Sequence, residues 1–215
     1  MLILEEKGYM DIKRAIQLAK RELKTPRFEH TLRVIETSEE LAERFKESAQ
    51  KAKLAAALHD YAKNWSVEEL KTYIVNHQLS NELLVYHPEL WHGPVASHVM
   101  EMKYGITDPE VLRAIAHHTT GRAGMTNIEK IVYLADYIEP GRDIPGVEEV
   151  RKASEQNLDY ACWLVARSTL NYLIQKNVTI HPDSFHAYND LTRTIHMEGL
   201  LDGNERSRAV DRGSL

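Results

Sequence analysis

The chain has 215 residues, 43% hydrophobic and 27% charged, with a formal net charge of −5, which suits one sizeable core and one domain. That charge excludes a basic nucleic-acid footprint, and the single cysteine, Cys162, excludes an intrachain disulfide and a thiolate metal cluster. No apolar run approaches the roughly 20 residues of a bilayer span, and the N-terminus lacks a signal-peptide pattern, so a reducing cytoplasm is the expected setting.

In chain order, residues 11–23 place Ile12, Ile16, Ala19 and Leu23 on one helical stripe behind Asp11 as N-cap. Thr25–Pro26 opens a second helix to about Lys46, with the proline in its first turn. A third helix is expected over Ala49–Ala62, and Ser66-Val-Glu-Glu69 is a capping box that opens a short fourth. Leu79–Pro94, broken by Pro88, Gly93 and Pro94, reads as a loop of functional length. Helix resumes over Val95–Tyr104 and stops at Gly105; Asp108–Pro109 opens the next, through Thr119. Thr126-Asn-Ile-Glu129 is a second capping box, leading into a helix that must end before Pro140. Helices over Val147–Asn157, Leu158–Lys176 and about Asp183–His196 follow, and the apolar stripe of the 158–176 helix can also serve a homodimer interface. The expected organisation is an all-α single domain over residues 1–198, with a charged tail over 199–215 that reads as disordered. No alternating strand and no glycine-rich phosphate loop is present.

The 11 histidines carry the chemistry. In KLAAALHDYAK (53–63) five small or apolar residues run into His59–Asp60. Burying an imidazole and a carboxylate there is costly unless each has a partner. His30 (RFEHT), His92 (LWHGP), His117–His118 (AHHTTG) and Asp136 (LADYI) likewise lie in or beside apolar helical segments. A lone histidine at the edge of an apolar helix is more often a hydrogen-bonded core residue, and His117–His118 also suits a helix C-terminus. Asp136 is harder to dismiss, because an unpartnered carboxylate in an apolar helix is strongly disfavoured. Imidazole with carboxylate suits iron, manganese, cobalt, nickel or zinc and not calcium. More than four such ligands suggest two ions, which together can clamp a phosphoryl group and supply a hydroxide nucleophile.

The order His…His-Asp…His…His…Asp resembles the HD-domain metal-dependent phosphohydrolases, an all-helical superfamily. More narrowly, RFEHT, LHDYAK, PELWHGPVA, HHTTGR, GMTNIEKIVYLADYIEPGR and PGVEEVR are similar to the bacterial YqeK family of symmetrical diadenosine tetraphosphate hydrolases, over roughly residues 10–190. That resemblance implies two metal ions, iron above all, with Asp60 bridging them and acting in catalysis. His30, His59 and Asp136 would complete one sphere, and His92 and His118 the other; His117 would be a neighbour. It further implies a nucleotide substrate, cleaved to two ADP. Cations and donors near the ligands are the candidates for holding its phosphates: Arg27, Lys63 (also a catalytic candidate), Arg122, Arg142, Thr119 and Gly121. Thr120 belongs to the same turn. Glu139 can orient a ligand imidazole or accept from the nucleotide. Trp91, Tyr61 and Tyr137 directly adjoin candidate ligands, placed to line a base pocket or the core. An HD nucleotidase or pyrophosphatase on other nucleotides, and a non-catalytic nucleotide sensor, are the competing functions; no nucleic-acid or membrane partner is expected.

Overall fold

The computed structural model describes residues 10–200, and among them there are ten α-helices and no strand. They are α1 (Ile12–Glu22), α2 (Thr25–Arg44), α3 (Ala49–Leu58), α4 (Val67–Asn76), α5 (His92–Met102), α6 (Pro109–His117), α7 (Asn127–Ile138), α8 (Val147–Ser154), α9 (Leu158–Gln175) and α10 (Pro182–Met197). The expected caps form. Asp11 accepts from Arg14 N–H at 2.8 Å, and both capping boxes close, Ser66 with Glu69 and Thr126 with Glu129. Of the tail expected from Gly199, residues 201–215 lie outside the described residues. Gly199 and Leu200 close the end of α10, their N–H groups donating to His196 O and Ile195 O.

Helix α3 is the hub, packed against α1, α2, α6 and α7. Its sequence explains this position: Ala52, Ala55, Ala56 and Ala57 are buried and short, so neighbouring backbones approach closely around Leu58. Helix α7 is buried nearly all round, through Ile128, Ile131, Val132, Leu134, Ala135 and Ile138, as a helix inside a bundle must be. In α9, Leu158, Ala161, Leu164, Val165 and Leu170 are buried, and the helix packs on α7, α8 and α10, while Tyr172 and Ile174 near its end are exposed.

Helices α2, α6 and α8 stop at Arg44, His117 and Ser154, two or three residues short of the expected ends, and two larger differences lie at the centre of the molecule. Helix α3 ends at Leu58 rather than Ala62. Beyond it the bonds tighten to three-residue spacing (Tyr61 N to Leu58 O 3.1 Å, Lys63 N to Asp60 O 2.8 Å), so His59–Asp60 lies on a turn at the helix end. Helix α5 begins at His92 rather than Val95. Pro94 falls in its first turn, where an N–H has no intrahelical partner anyway. Gly93 is required by packing: a Cβ there would lie 2.8 Å from Ala116 O and 3.1 Å from Ile115 O, so α5 and α6 meet backbone to backbone. The preceding segment folds into short 3₁₀ turns at Asn81–Val85 and Pro88–Leu90.

Candidate metal centre

Each ligand candidate sits at or near a helix end that the packing of α2, α3, α5, α6 and α7 turns inward. His30 comes from the second turn of α2, His59 and Asp60 follow α3, His92 opens α5, His118 follows α6, and Asp136 lies in the last turn of α7. His30 and His59, 29 positions apart, come together with ring centroids 5.7 Å apart. The rings of His59 and His118 are 4.8 Å apart, and those of His92 and His118 4.9 Å.

All four imidazoles are buried, and each has its Nδ1 on an oxygen that can only accept: Glu139 Oε1 for His30 (3.0 Å), Ala56 O for His59 (2.6 Å), Glu89 O for His92 (2.7 Å) and Ile115 O for His118 (2.8 Å). The hydrogen therefore resides on every Nδ1, and every Nε2 of a neutral ring presents a bare lone pair. Those four lone pairs converge on Asp60. Its Oδ2 lies 3.2 Å from His59 Nε2 and 3.7 Å from His30 Nε2; its Oδ1 lies 3.2 Å from His92 Nε2 and 3.8 Å from His118 Nε2. Asp136 Oδ1 joins the first side, 2.9 Å from His30 Nε2 and 4.0 Å from His59 Nε2.

This arrangement could hold metal ions. The Nε2 atoms of His92 and His118 stand 3.0 Å apart with no hydrogen between neutral rings, and the buried Nε2 atoms of His30 and His59 have no hydrogen-bond partner. Such lone pairs are costly unless a cation takes them. Among the described residues, two sets of three offer ligand atoms within 4.8 Å of one another: His30–His59–Asp60 and Asp60–His92–His118. Asp60 belongs to both.

Electrostatics follow from burial and proximity. Burial pushes the Asp60 carboxyl up, but when His59 and His92 also carry a proton on Nε2 their charge and hydrogen bonds outweigh it and hold it well below the usual carboxylate range; with the rings neutral, a cation takes the place of those protons. Asp136 is treated likewise: burial raises it, and His30, His59 and Arg142 bring it far down. For His59, burial favours the neutral ring but Asp60 wins and the pKa rises. For His118, burial and the neighbouring His59 and His92 push it down to about 3.

Around this centre, Arg27 Nη1 donates to Asp60 Oδ2 at 2.9 Å. Arg142 holds Asp136 twice, Nη2 to Oδ1 at 2.6 Å and Nε to the backbone O at 2.8 Å. Lys63 lies beyond the end of α3 and pairs with Glu89 at 2.5 Å. Thr119 Oγ1 is 3.1 Å from His118 Nε2. Gly121 has φ +64, and its N–H donates to His117 O at 2.8 Å, closing α6. Glu139 meets the ligand shell directly, through His30, and is itself held by Arg33 Nε (2.5 Å) and Gly141 N–H (2.6 Å).

Other candidates are engaged elsewhere. Arg122 is drawn to buried Glu129 (Nη2 to Oε2 2.7 Å), which also takes Arg113 and Thr126 N–H; a carboxylate buried there needs those donors. His117 turns away from the centre toward Asp183, at 3.7 Å. Trp91 is buried with its indole N–H on Leu83 O, because α5 starts one residue later and swings the ring into the core. Tyr137 donates to Ser168 Oγ at 2.9 Å. Sequence reasoning passed over Arg33, Glu89 and Arg151, and read Glu129 only as a helix cap. Of these, Arg33 carried a signal: it lies one turn after His30 on the same helix face.

Fold and site together are those of an HD domain: that family's pattern matches residues 27–141, and the chain belongs to the family. The chain is similar to the symmetrical bis(5'-nucleosyl)-tetraphosphatase of Bacillus subtilis (strain 168), 43% identical over 180 residues that cover 84% of this chain and 97% of that one. It is 42% identical to the protein of the same name from Staphylococcus aureus (strain NCTC 8325 / PS 47), over 84% of this chain and 94% of that one. In structure it is similar to a predicted HD superfamily hydrolase involved in NAD metabolism from Clostridium acetobutylicum, with a TM-score of 0.81 and 34% identity, covering 87% of this chain and 100% of that one. No helix among the described residues is long and apolar enough to cross a membrane.

Proposed function

We propose that the chain is a metal-dependent hydrolase that cleaves diadenosine tetraphosphate symmetrically into two ADP. The observation that carries this reading is the convergence of four buried Nε2 lone pairs on the two oxygens of Asp60. His30, His59, Asp60 and Asp136 would hold one ion; Asp60, His92 and His118 would hold a second. Iron is the ion the family resemblance implies, and manganese, cobalt and nickel suit the same donors. When bound, such ions supply Lewis acidity and lower the pKa of water.

The chain's own residues do the rest. The Nδ1 bonds fix every ring with its Nε2 inward, so the donor set needs no reorganisation. Asp136 keeps 20% of its side chain exposed and marks the open side of the centre. Arg27 on Asp60, Arg142 on Asp136 and Lys63 on Glu89 are part-exposed cations around the centre, candidates to neutralise a tetraphosphate. Thr119 offers a hydroxyl beside His118. Addition of water across the central P–O–P bond gives two ADP, and ionisation of their two new terminal hydroxyls releases two protons. The names of the relatives support the substrate.

The test is hydrolysis of diadenosine tetraphosphate by anaerobically purified protein, with products resolved and metals counted in the same sample. ADP as sole product, about two metals per chain, and loss of both in Asp60→Ala are expected. AMP plus ATP, or turnover of mononucleotides alone, would move the assignment to an HD nucleotidase or pyrophosphatase. A folded protein with neither metal nor turnover would refute the reading.

A further inference from the structure

The last turn of α7 and the loop after it carry three side chains of the centre: Asp136, Glu139 on His30, and Arg142 on Asp136. An exposed loop after a helix leaves its final carbonyls without intrahelical partners. Here one guanidinium from another helix collects the last carbonyl of α7 and two of the loop. Arg151, on α8, donates Nε to Ile138 O (2.9 Å) and Nη2 to both Glu139 O (2.8 Å) and Arg142 O (2.9 Å). Its remaining nitrogen, Nη1, pairs with exposed Glu148. Arg44 from α2 in turn reaches Ser154 O at the end of α8, and Ser154 Oγ donates to Arg151 O, so α8 is tied to the body of the fold.

We propose that Arg151 is a positioning residue: its planar fork fixes the 138–142 backbone, and thereby sets Arg142 against Asp136 and the substrate phosphates. The proposal rests on the functional reading above for the role of Arg142. Three carbonyls from residues 138, 139 and 142 are gathered by one rigid group, which a lysine cannot copy because its ammonium lacks the fork. Arg142 has no other anchor of this kind. Its own N–H bonds to Glu139 O at 2.9 Å, a carbonyl that Arg151 also holds. Loss of Arg151 therefore frees Arg142 along its backbone, while Arg33 of α2 keeps the Glu139 carboxylate on His30 and the histidines and Asp60, which come from other elements, stay in place.

The experiment is a double-mutant cycle on the metal-loaded protein with R151M, R142A and the pair, beside R151K and the control E148A. R151M is expected to raise KM for diadenosine tetraphosphate at least tenfold, with kcat within threefold and metal per chain unchanged. In the R142A background the same substitution should change kcat/KM less than twofold. R151K should fall between wild type and R151M, and E148A should stay within twofold of wild type. Independently of turnover, hydrogen exchange of the Gly141 and Arg142 amides should quicken at least tenfold in R151M, and measurably in R151K, with α5 and α6 unchanged. Unaltered exchange in either variant, or effects of R151M and R142A that multiply, would overturn the proposal. If R151M does not fold, R151K decides by the same two readouts. Wild-type protein that fails to cleave the substrate would sink the functional reading, and the exchange measurement would still decide whether Arg151 fixes the loop.

Discussion

Glu139→Gln tests how the centre is held. The Glu139 carboxylate is almost fully buried and takes three donors: His30 Nδ1, Arg33 Nε and Gly141 N–H. Burial alone would raise its pKa, but Arg33, His30 and the Gly141 N–H bring it from 4.5 down to about 2. At about 1.4 kcal/mol per pH unit, that difference corresponds to about 3 kcal/mol of stability in chelator-treated protein at pH 7. Because the folded-state value is depressed, the contribution is complete above about pH 4.5 and is lost as pH falls through about 2. By pH 3 about 1 kcal/mol should remain. The amide keeps one acceptor but no charge, and its NH₂ faces groups that are themselves donors. Urea unfolding should therefore show Glu139→Gln less stable by about 2–3 kcal/mol at pH 7, with the gap narrowing by roughly half or more at pH 3. Since His30 loses its orienting carboxylate, metal affinity should drop by about 10–100-fold. A gap under about 0.5 kcal/mol at pH 7, or one that does not narrow in acid, would refute the reasoning.

Gly93→Ala should destabilise by about 1–3 kcal/mol and cut activity sharply, because the atoms its Cβ would strike at 2.8 and 3.1 Å are backbone oxygens and His118 Cε1 is the next, at 3.3 Å; thermal melts and turnover check this. Arg122→Met should cost about 2 kcal/mol in urea unfolding, less than for a buried carboxylate stripped of all partners, because Arg113 and Thr126 N–H still hold Glu129. Cys162 is fully buried and its thiol is pushed up by burial, so a disulfide reagent at pH 8 should leave it unmodified in the native protein and label it fully in denaturant.

Much of the fold was legible because helices announce their ends locally. Asp11, Ser66 and Thr126 cap their own chain three residues on, and Gly105 closes α5 through Ile106 N–H on Met100 O; none of these depends on a distant residue. The boundaries at Leu58 and His92, displaced at the centre of the molecule, are both places where the site overrides local preference. High helix propensity through Ala62 yields to a tight turn whose bonds let His59 reach Ala56 O, and a Gly-Pro pair that reads as a break is accommodated in a first turn.

By itself the sequence determined the residue types of the candidate centre and their order, because histidines and aspartates set into apolar helices are costly to bury without partners. It could not show which oxygen orients which ring, that Glu139 belongs to the centre through His30, or that Arg122 is committed to Glu129 and Arg151 to the carbonyls after α7. Those choices are made between residues as much as 109 positions apart in the chain. A hydrogen bond is decided over tenths of an ångström, and that distance exists only once the helices have packed.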